Sequence, residues 1–482
     1  MPESRVLAAA GLPNVNVGKF ALGLLITCTA CGEASKTPNT TALSAAGATS
    51  SGGGASSAGG TSSATGDVPA VGGDAPASVG GASTGGGSQA SGGSGPGAQG
   101  GGAPAGGSGP APMPVTPPNP CIADGSCPPG KWVNVTPPGA SMSPDKGCKE
   151  CNYGVQDVVA DPVRRGDLYA FICYQGVWKS TDYGLNWDHI STGKNSDHIE
   201  SGRPWTAAID PKQNRDPNTP PALYTVSGYG DQMGVYKSTD GGVNWDYYAV
   251  NNTQAPVPDD VYSLDVDPYD SNHLVAGFHS TAVSESKDGG KTWKTITVPT
   301  GLGVSPYVWF VQSDSAATTS GTWLTMAQWD NMTSGIWRTT DSGAHWTQVL
   351  KTLEHGHGAS QIYQDGKGVI IASGSGHVQS SIWRSSDFGM SWSPVKSGDT
   401  TQNAVFGTPN FVYATLPVAF TTGQEQHLQR SPTTDGVNWS DWAPVAPSGM
   451  TNGAKRAAVT YDGTHYIIVT GNWLAGIWRY VE

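Results

Sequence analysis

The chain is 482 residues long, with a formal net charge of −12, 13% charged residues and 67 glycines. No run of Lys or Arg offers the clustered cations that nucleic acid requires, and no apolar stretch approaches the ~20 residues of a membrane-spanning helix. Nearly all of the 17 Trp and 17 Tyr lie beyond residue 120, so the second part of the chain can build a core and the first cannot.

Residues 1–31 read as an export signal. Arg5 and Lys19 flank the start, Phe20 to Thr27 forms a short apolar core, and small residues lead to Thr29-Ala30-Cys31-Gly32. The ending resembles a bacterial lipobox, which implies lipidation at Cys31. Cys28, preceded by Thr, is the alternative site. The expectation is an outer-membrane or cell-surface lipoprotein, or a secreted protein, that touches membrane only through its lipid. Residues 32–120 are rich in Gly, Ser, Ala and Pro and almost uncharged, the composition of a disordered linker. At ~5–6 Å × √n such a tract spans roughly 50 Å.

Residues 121–482 carry a repeat. The octet Ser-x-Asp-x-Gly-x-x-Trp occurs at Ser180 to Trp187, Ser238 to Trp245 and Ser286 to Trp293, and again at Thr339 to Trp346 and Ser385 to Trp392. A sixth copy, Thr433 to Trp439, is one residue short. The interval is about 50 residues, the size of a four-stranded propeller blade. Within the octet, Asp accepts hydrogen bonds from the amides that follow it, Gly takes the positive φ, and Trp buries a large apolar face. Strands such as Gly176-Val177-Trp178-Lys179 precede most copies, so each reads as a strand, tight turn and strand. The Asp residues are therefore read as structural, not as acids or metal ligands.

These residues resemble the Asp-box (BNR) repeat of the sialidase, sortilin and xyloglucanase group, which implies an all-β, seven-bladed β-propeller. The end Gly476 to Glu482 matches a strand that precedes an octet, and Lys131 to Val135 matches one that follows. The N-terminal strand is thus expected to close the last blade, which removes exposed sheet edges, in a protein expected to be monomeric.

The loops that lead into each innermost strand, and those joining the two middle strands, should share the face opposite the octets. They collect carboxylates, imidazoles, cations and aromatics, in Tyr153 to Asp157, Asp197 to Trp205, Asp259 to Tyr262, Pro306 to Trp309, Glu354 to His357, Lys455-Arg456, Tyr174, Tyr229 to Asp231, His279, Trp329 to Asn331, His377 and Asn472-Trp473. Aromatic faces stack on sugar rings while charged groups bond hydroxyls, so the expected ligand is a polysaccharide, bound or processed. The expected ligand-binding residues are Arg203, Trp205, Tyr229, Asp231, Tyr307, Trp309, Trp329, His355, His357, Arg456 and Trp473, with Arg203 and Arg456 as the exposed cations. A glycoside hydrolase needs two carboxyls flanking the scissile bond, and Asp157, Glu200 and Asp260 are the candidates.

The xyloglucanase resemblance falls on Leu168-Tyr169-Ala170-Phe171-Ile172-Cys173-Tyr174-Gln175-Gly176, where Cys173 occupies the position of that family's catalytic Asp. The competing function is a sortilin-like, non-catalytic propeller that grips a peptide. His355 and His357 could both ligate a metal, but no third ligand is fixed by spacing, so no metal or cofactor is expected. In an exported domain disulfides are favoured. Cys121 with Cys127 is expected, and Cys173 with Cys151 or Cys148, leaving one thiol over.

Overall fold

Seven four-stranded antiparallel sheets follow one another around a ring in the computed structural model. It describes residues 120–482 apart from 150, 251–259, 281, 300–301, 303–306, 327–334, 352–359, 375–380, 398–403, 417–426, 434 and 443–446. Cys31 and the linker lie outside the described residues. The innermost strands of blades 1 to 7 are Val155–Ala160, Ala207–Ile209, Val261–Asp267, Tyr307–Phe310, Tyr363–Gln364, Val405–Gly407 and Ala454–Tyr461. Blade 7 is completed on its outside by Trp132–Asn134, which pairs antiparallel with Gly476–Val481 through Trp132 opposite Tyr480 and Asn134 opposite Trp478. The expected closure by the N-terminal strand is what the sheet shows.

The octets make the turns between third and fourth strands. In blade 1 Ser180 Oγ donates to Asp182 Oδ1 at 2.8 Å, and the Leu185 and Asn186 amides donate to the same oxygen at 3.1 and 2.9 Å. Gly184 adopts φ +80°, and an added Cβ there would stand 2.8 Å from Val469 of blade 7. Left-handed geometry and close packing together require glycine. The octet Trp then wedges between blades. Trp245 of blade 2 is fully buried, with its ring 6.5 Å from that of Phe171 in blade 1.

Because each sheet is covered on both faces by its neighbours, strand two carries no polar alternation. All of Leu168–Ile172, Leu223–Val226 and Trp323–Met326 is buried. Removing such surface from water, at ~25 cal/mol per Å², is the main force holding blade to blade.

The disulfides depart from expectation in one respect. Cys121 is bonded to Cys127, but Cys148 is bonded to Cys151, and Cys173 is a buried free thiol. The two cysteines of the 148–151 turn are close enough to pair locally, which leaves Cys173 without a partner. Burial pushes its thiol up to about 11.

Candidate functional site

Three of the innermost strands carry a bulge where they begin. Pairing skips from Val155 to Asp157, from Val261 to Ser263 and from Ala454 to Arg456, so Gln156, Tyr262 and Lys455 are the extra residues. A bulge re-aims its side chain, and these three side chains enter one cluster. Lys455 Nζ donates to Gln156 Oε1 at 2.9 Å and to the Trp205 carbonyl at 2.5 Å. It also lies within 6 Å of the ring centres of Trp205, Tyr262 and Trp473. Burial brings the ammonium down to about 7, against the opposing pull of the Asp157 carboxylate.

Around this cation runs a ladder of rings drawn from five blades. Trp473 stands 5.9 Å from Tyr153, Tyr153 5.9 Å from Trp205, and Trp205 5.3 Å from Tyr262. The series continues to Tyr307 at 5.5 Å and then to Trp309, stacked at 5.7 Å. Trp205 is fixed by its indole, which donates to Asp260 Oδ2 at 2.8 Å. Gly228 leaves room for this bond, since a Cβ there would lie 2.1 Å from the indole nitrogen. His279 Nδ1 stands 3.6 Å from Asp260 and 3.0 Å from the Tyr229 hydroxyl.

Tyr229 is the outermost member, 45% exposed and held at φ +52°. A tyrosine in left-handed geometry is strained, and such strain concentrates at ligand sites. Tyr174 and Leu474, in the corresponding loops of blades 1 and 7, are left-handed too. Arg203 inserts between these loops. Its backbone pairs with Gly228, its Nε donates to the Cys151 carbonyl at 3.0 Å, and its guanidinium carbon lies 4.4, 4.9 and 5.4 Å from the ring centres of Tyr153, Tyr229 and Trp205.

The structure gathers Arg203, Trp205, Tyr229, Asp260, Tyr307, Trp309 and Trp473 into this cluster, with Asp157 and Arg456 in its floor. Several expectations need correction. Arg456 is no exposed cation: it spans blades, donating to Asp157 Oδ2 at 3.0 Å, the Ser360 carbonyl at 2.6 Å and the Ala207 carbonyl at 3.4 Å. Arg203 is only 8% exposed, covered by rings.

Asp157 is 1% exposed and also accepts from the Ala207 amide at 2.7 Å. Burial raises its carboxyl above the usual range although Arg456 opposes this. Glu200 turns away, because the short helix Ser196–Glu200 directs it to His189 on the outermost strand of blade 1, 2.8 Å away. Asp231 is held at the rim by Ser201 and His198 at 2.6 and 3.0 Å. Trp309 is buried against Tyr307.

The three expected acids therefore do not flank an open cleft. Trp329, His355, His357 and Asp259 lie outside the described residues. Among the described residues, no group of three or more His, Cys, Asp or Glu could hold a metal ion.

Tyr153, Tyr262, His279 and Lys455 lie in the segments singled out by sequence but were not assigned to binding. The bulges that recruit Tyr262 and Lys455 leave no mark in a single sequence. The pairing of Tyr153 with Trp473 joins neighbouring blades 1 and 7, whose residues lie far apart in sequence.

No family model and no curated protein matches the chain. Solved structures do match. The GH74 xyloglucanase from Xanthomonas campestris is similar with a TM-score of 0.52 at 18% identity, over 72% of this chain and 53% of that one. The chain thus spans about half the length of that enzyme. YCF48 from Cyanidioschyzon merolae gives 0.46 at 13% identity over 72% and 98%, and YCF48 bound to D1 peptide gives 0.46 at 15% over 73% and 97%. At these identities the likeness to the xyloglucanase is one of fold: a β-propeller.

Proposed function

We propose that this is an exported Asp-box propeller, anchored through Cys31, that binds polysaccharide on the face opposite the octets. The observation that carries this reading is the ring ladder from Trp473 to Trp309, with Tyr229 at its surface and Arg203 against its rings. Flat aromatic faces interleaved with fixed polar groups suit pyranose rings, whose C–H faces stack while hydroxyls bond. Binding rather than hydrolysis is the better-supported role. Asp157 is bonded to Arg456, Asp260 to Trp205, and Glu200 points elsewhere, whereas a hydrolase needs two carboxyls facing one bond.

The test is titration of the full chain against plant, algal and bacterial polysaccharides, with reducing ends followed in parallel. Saturable binding without release is expected, weakened roughly tenfold or more in Trp473→Ala. Release of reducing ends would replace the binding reading with a hydrolytic one. Failure of every polysaccharide, with capture of a peptide on the same face, would favour the peptide-gripping alternative.

A further inference from the structure

We infer that Arg203 is a receptor for a carboxylate, so that the polymer taken by this face is a polyuronate; the inference rests on the polysaccharide reading above. Three other arginines here are matched by acids. Arg215 holds both oxygens of Asp161 at 2.5 and 2.7 Å, Arg164 lies 3.3 and 3.1 Å from Asp161 and Asp167, and Arg456 bonds Asp157. Arg203 has no such partner. Among the described residues its only side-chain hydrogen bond is from Nε to the Cys151 carbonyl, and its Nη nitrogens find no acceptor. Arg479 resembles it in bonding one carbonyl through Nε, but Arg479 is sealed at 1% exposure, whereas 8% of Arg203 remains open.

The surroundings define what can complete it. Tyr153, Tyr229 and Trp205 lie against the guanidinium within 5.4 Å, and the Nε side is occupied by Cys151. What is left is the Nη fork, whose parallel N–H groups match the two oxygens of a carboxylate. The acid of the cluster, Asp260, is engaged by the Trp205 indole and faces His279. A uronic acid carries its carboxylate on the rim of the pyranose ring. The sugar face can therefore stack on Tyr229 while the carboxylate meets the fork.

The experiment is calorimetric titration of the full chain with an oligogalacturonide, with the same oligomer after reduction of its carboxyls to alcohols, and with neutral xyloglucan oligosaccharide. The acidic oligomer is expected to bind roughly tenfold or more tightly than its reduced form, and to weaken as salt is raised. Arg203→Gln should remove that difference, so that acidic and reduced oligomers bind alike. Arg203→Lys keeps the charge without the fork and should fall between; it carries the test if Arg203→Gln unfolds.

Equal affinity of wild type for acidic and reduced oligomers, or an undiminished preference in Arg203→Gln, overturns the carboxylate role while the polysaccharide reading stands. Binding of none of the three sugars brings down both. Tight binding of a peptide through its free C-terminal carboxylate, with no affinity for the uronate, assigns the fork to a different class of ligand and also overturns the proposal.

Discussion

The two faces of the ring use charge in opposite ways. On the octet face each Asp is consumed by its own turn: Asp240 accepts from Ser238, from the amides of Val243 and Asn244, and from the Asn244 side chain. Asp341 shows the result, with bonds from the His345 backbone and side chain holding its carboxyl down to about 2. On the other face the described blades contribute different side chains. Blade 2 supplies Arg203 and Trp205, blade 3 Asp260 and Tyr262, blade 7 Lys455 and Trp473, and blade 1 Tyr153. The difference teaches that in a repeat fold the repeated polar residue is architecture, and ligand chemistry is to be sought where the blades diverge.

The largest expected effect lies on the architectural side. Trp245→Ala removes a fully buried wedge between blades 1 and 2 and should cost about 3–5 kcal/mol in urea unfolding, with sugar affinity unchanged in the folded fraction. Loss of affinity at full stability would blur the division between faces.

Next in size is His273, buried between Asp267 at 3.0 Å and Glu285 at 2.9 Å, with Ser320 also bonded to Asp267. Burial alone would lower its pKa, but the two carboxylates prevail and raise it from 6.5 to about 9. Its stabilising contribution is therefore complete below pH 6.5 and is lost as pH rises through about 9. His273→Gln should be less stable by about 3 kcal/mol at pH 6, the gap to wild type narrowing toward pH 10 in parallel melts. A gap independent of pH would mean that His273 is neutral.

The smallest effect on stability, and the sharpest test of the comparison, is at Tyr229. Tyr229→Gly relieves the left-handed strain and should change stability by no more than about 1 kcal/mol, while polysaccharide affinity falls several-fold. Unchanged affinity would take Tyr229 off the ligand's path.

The blade plan was legible because six octets advertise it and because Lys131 to Val135 matches the missing fourth strand. The lead-in face was legible as a region but not as a site. Arg203 and Arg456 look alike in sequence, yet one lies beneath aromatic rings with a free fork and the other ties blade 7 to blades 1, 2 and 5. Nothing local announces that Arg456 meets Asp157, almost 300 positions away. Glu200 is drawn away from the cluster because its helix orients it toward His189, and the 148–151 disulfide displaced Cys173 because loop closure favours near neighbours. Long-range pairing and bulge-driven re-aiming decided these cases.

Closing blade 7 with Trp132–Asn134 also has a mechanical consequence. Any force arriving through the preceding residues is delivered to a three-residue strand at the outside of that blade, not to the core. The disulfide from Cys121 to Cys127 sits just ahead of that latch and shortens the lever on it. Beyond it, the amide of Gly130 donates to the Val481 carbonyl at 2.8 Å and that of Val135 to Ile477 at 2.9 Å, extending the grip past both strand ends. A molecule pulled through those residues is therefore expected to load the pairing of Trp132–Asn134 with Gly476–Val481 before any octet.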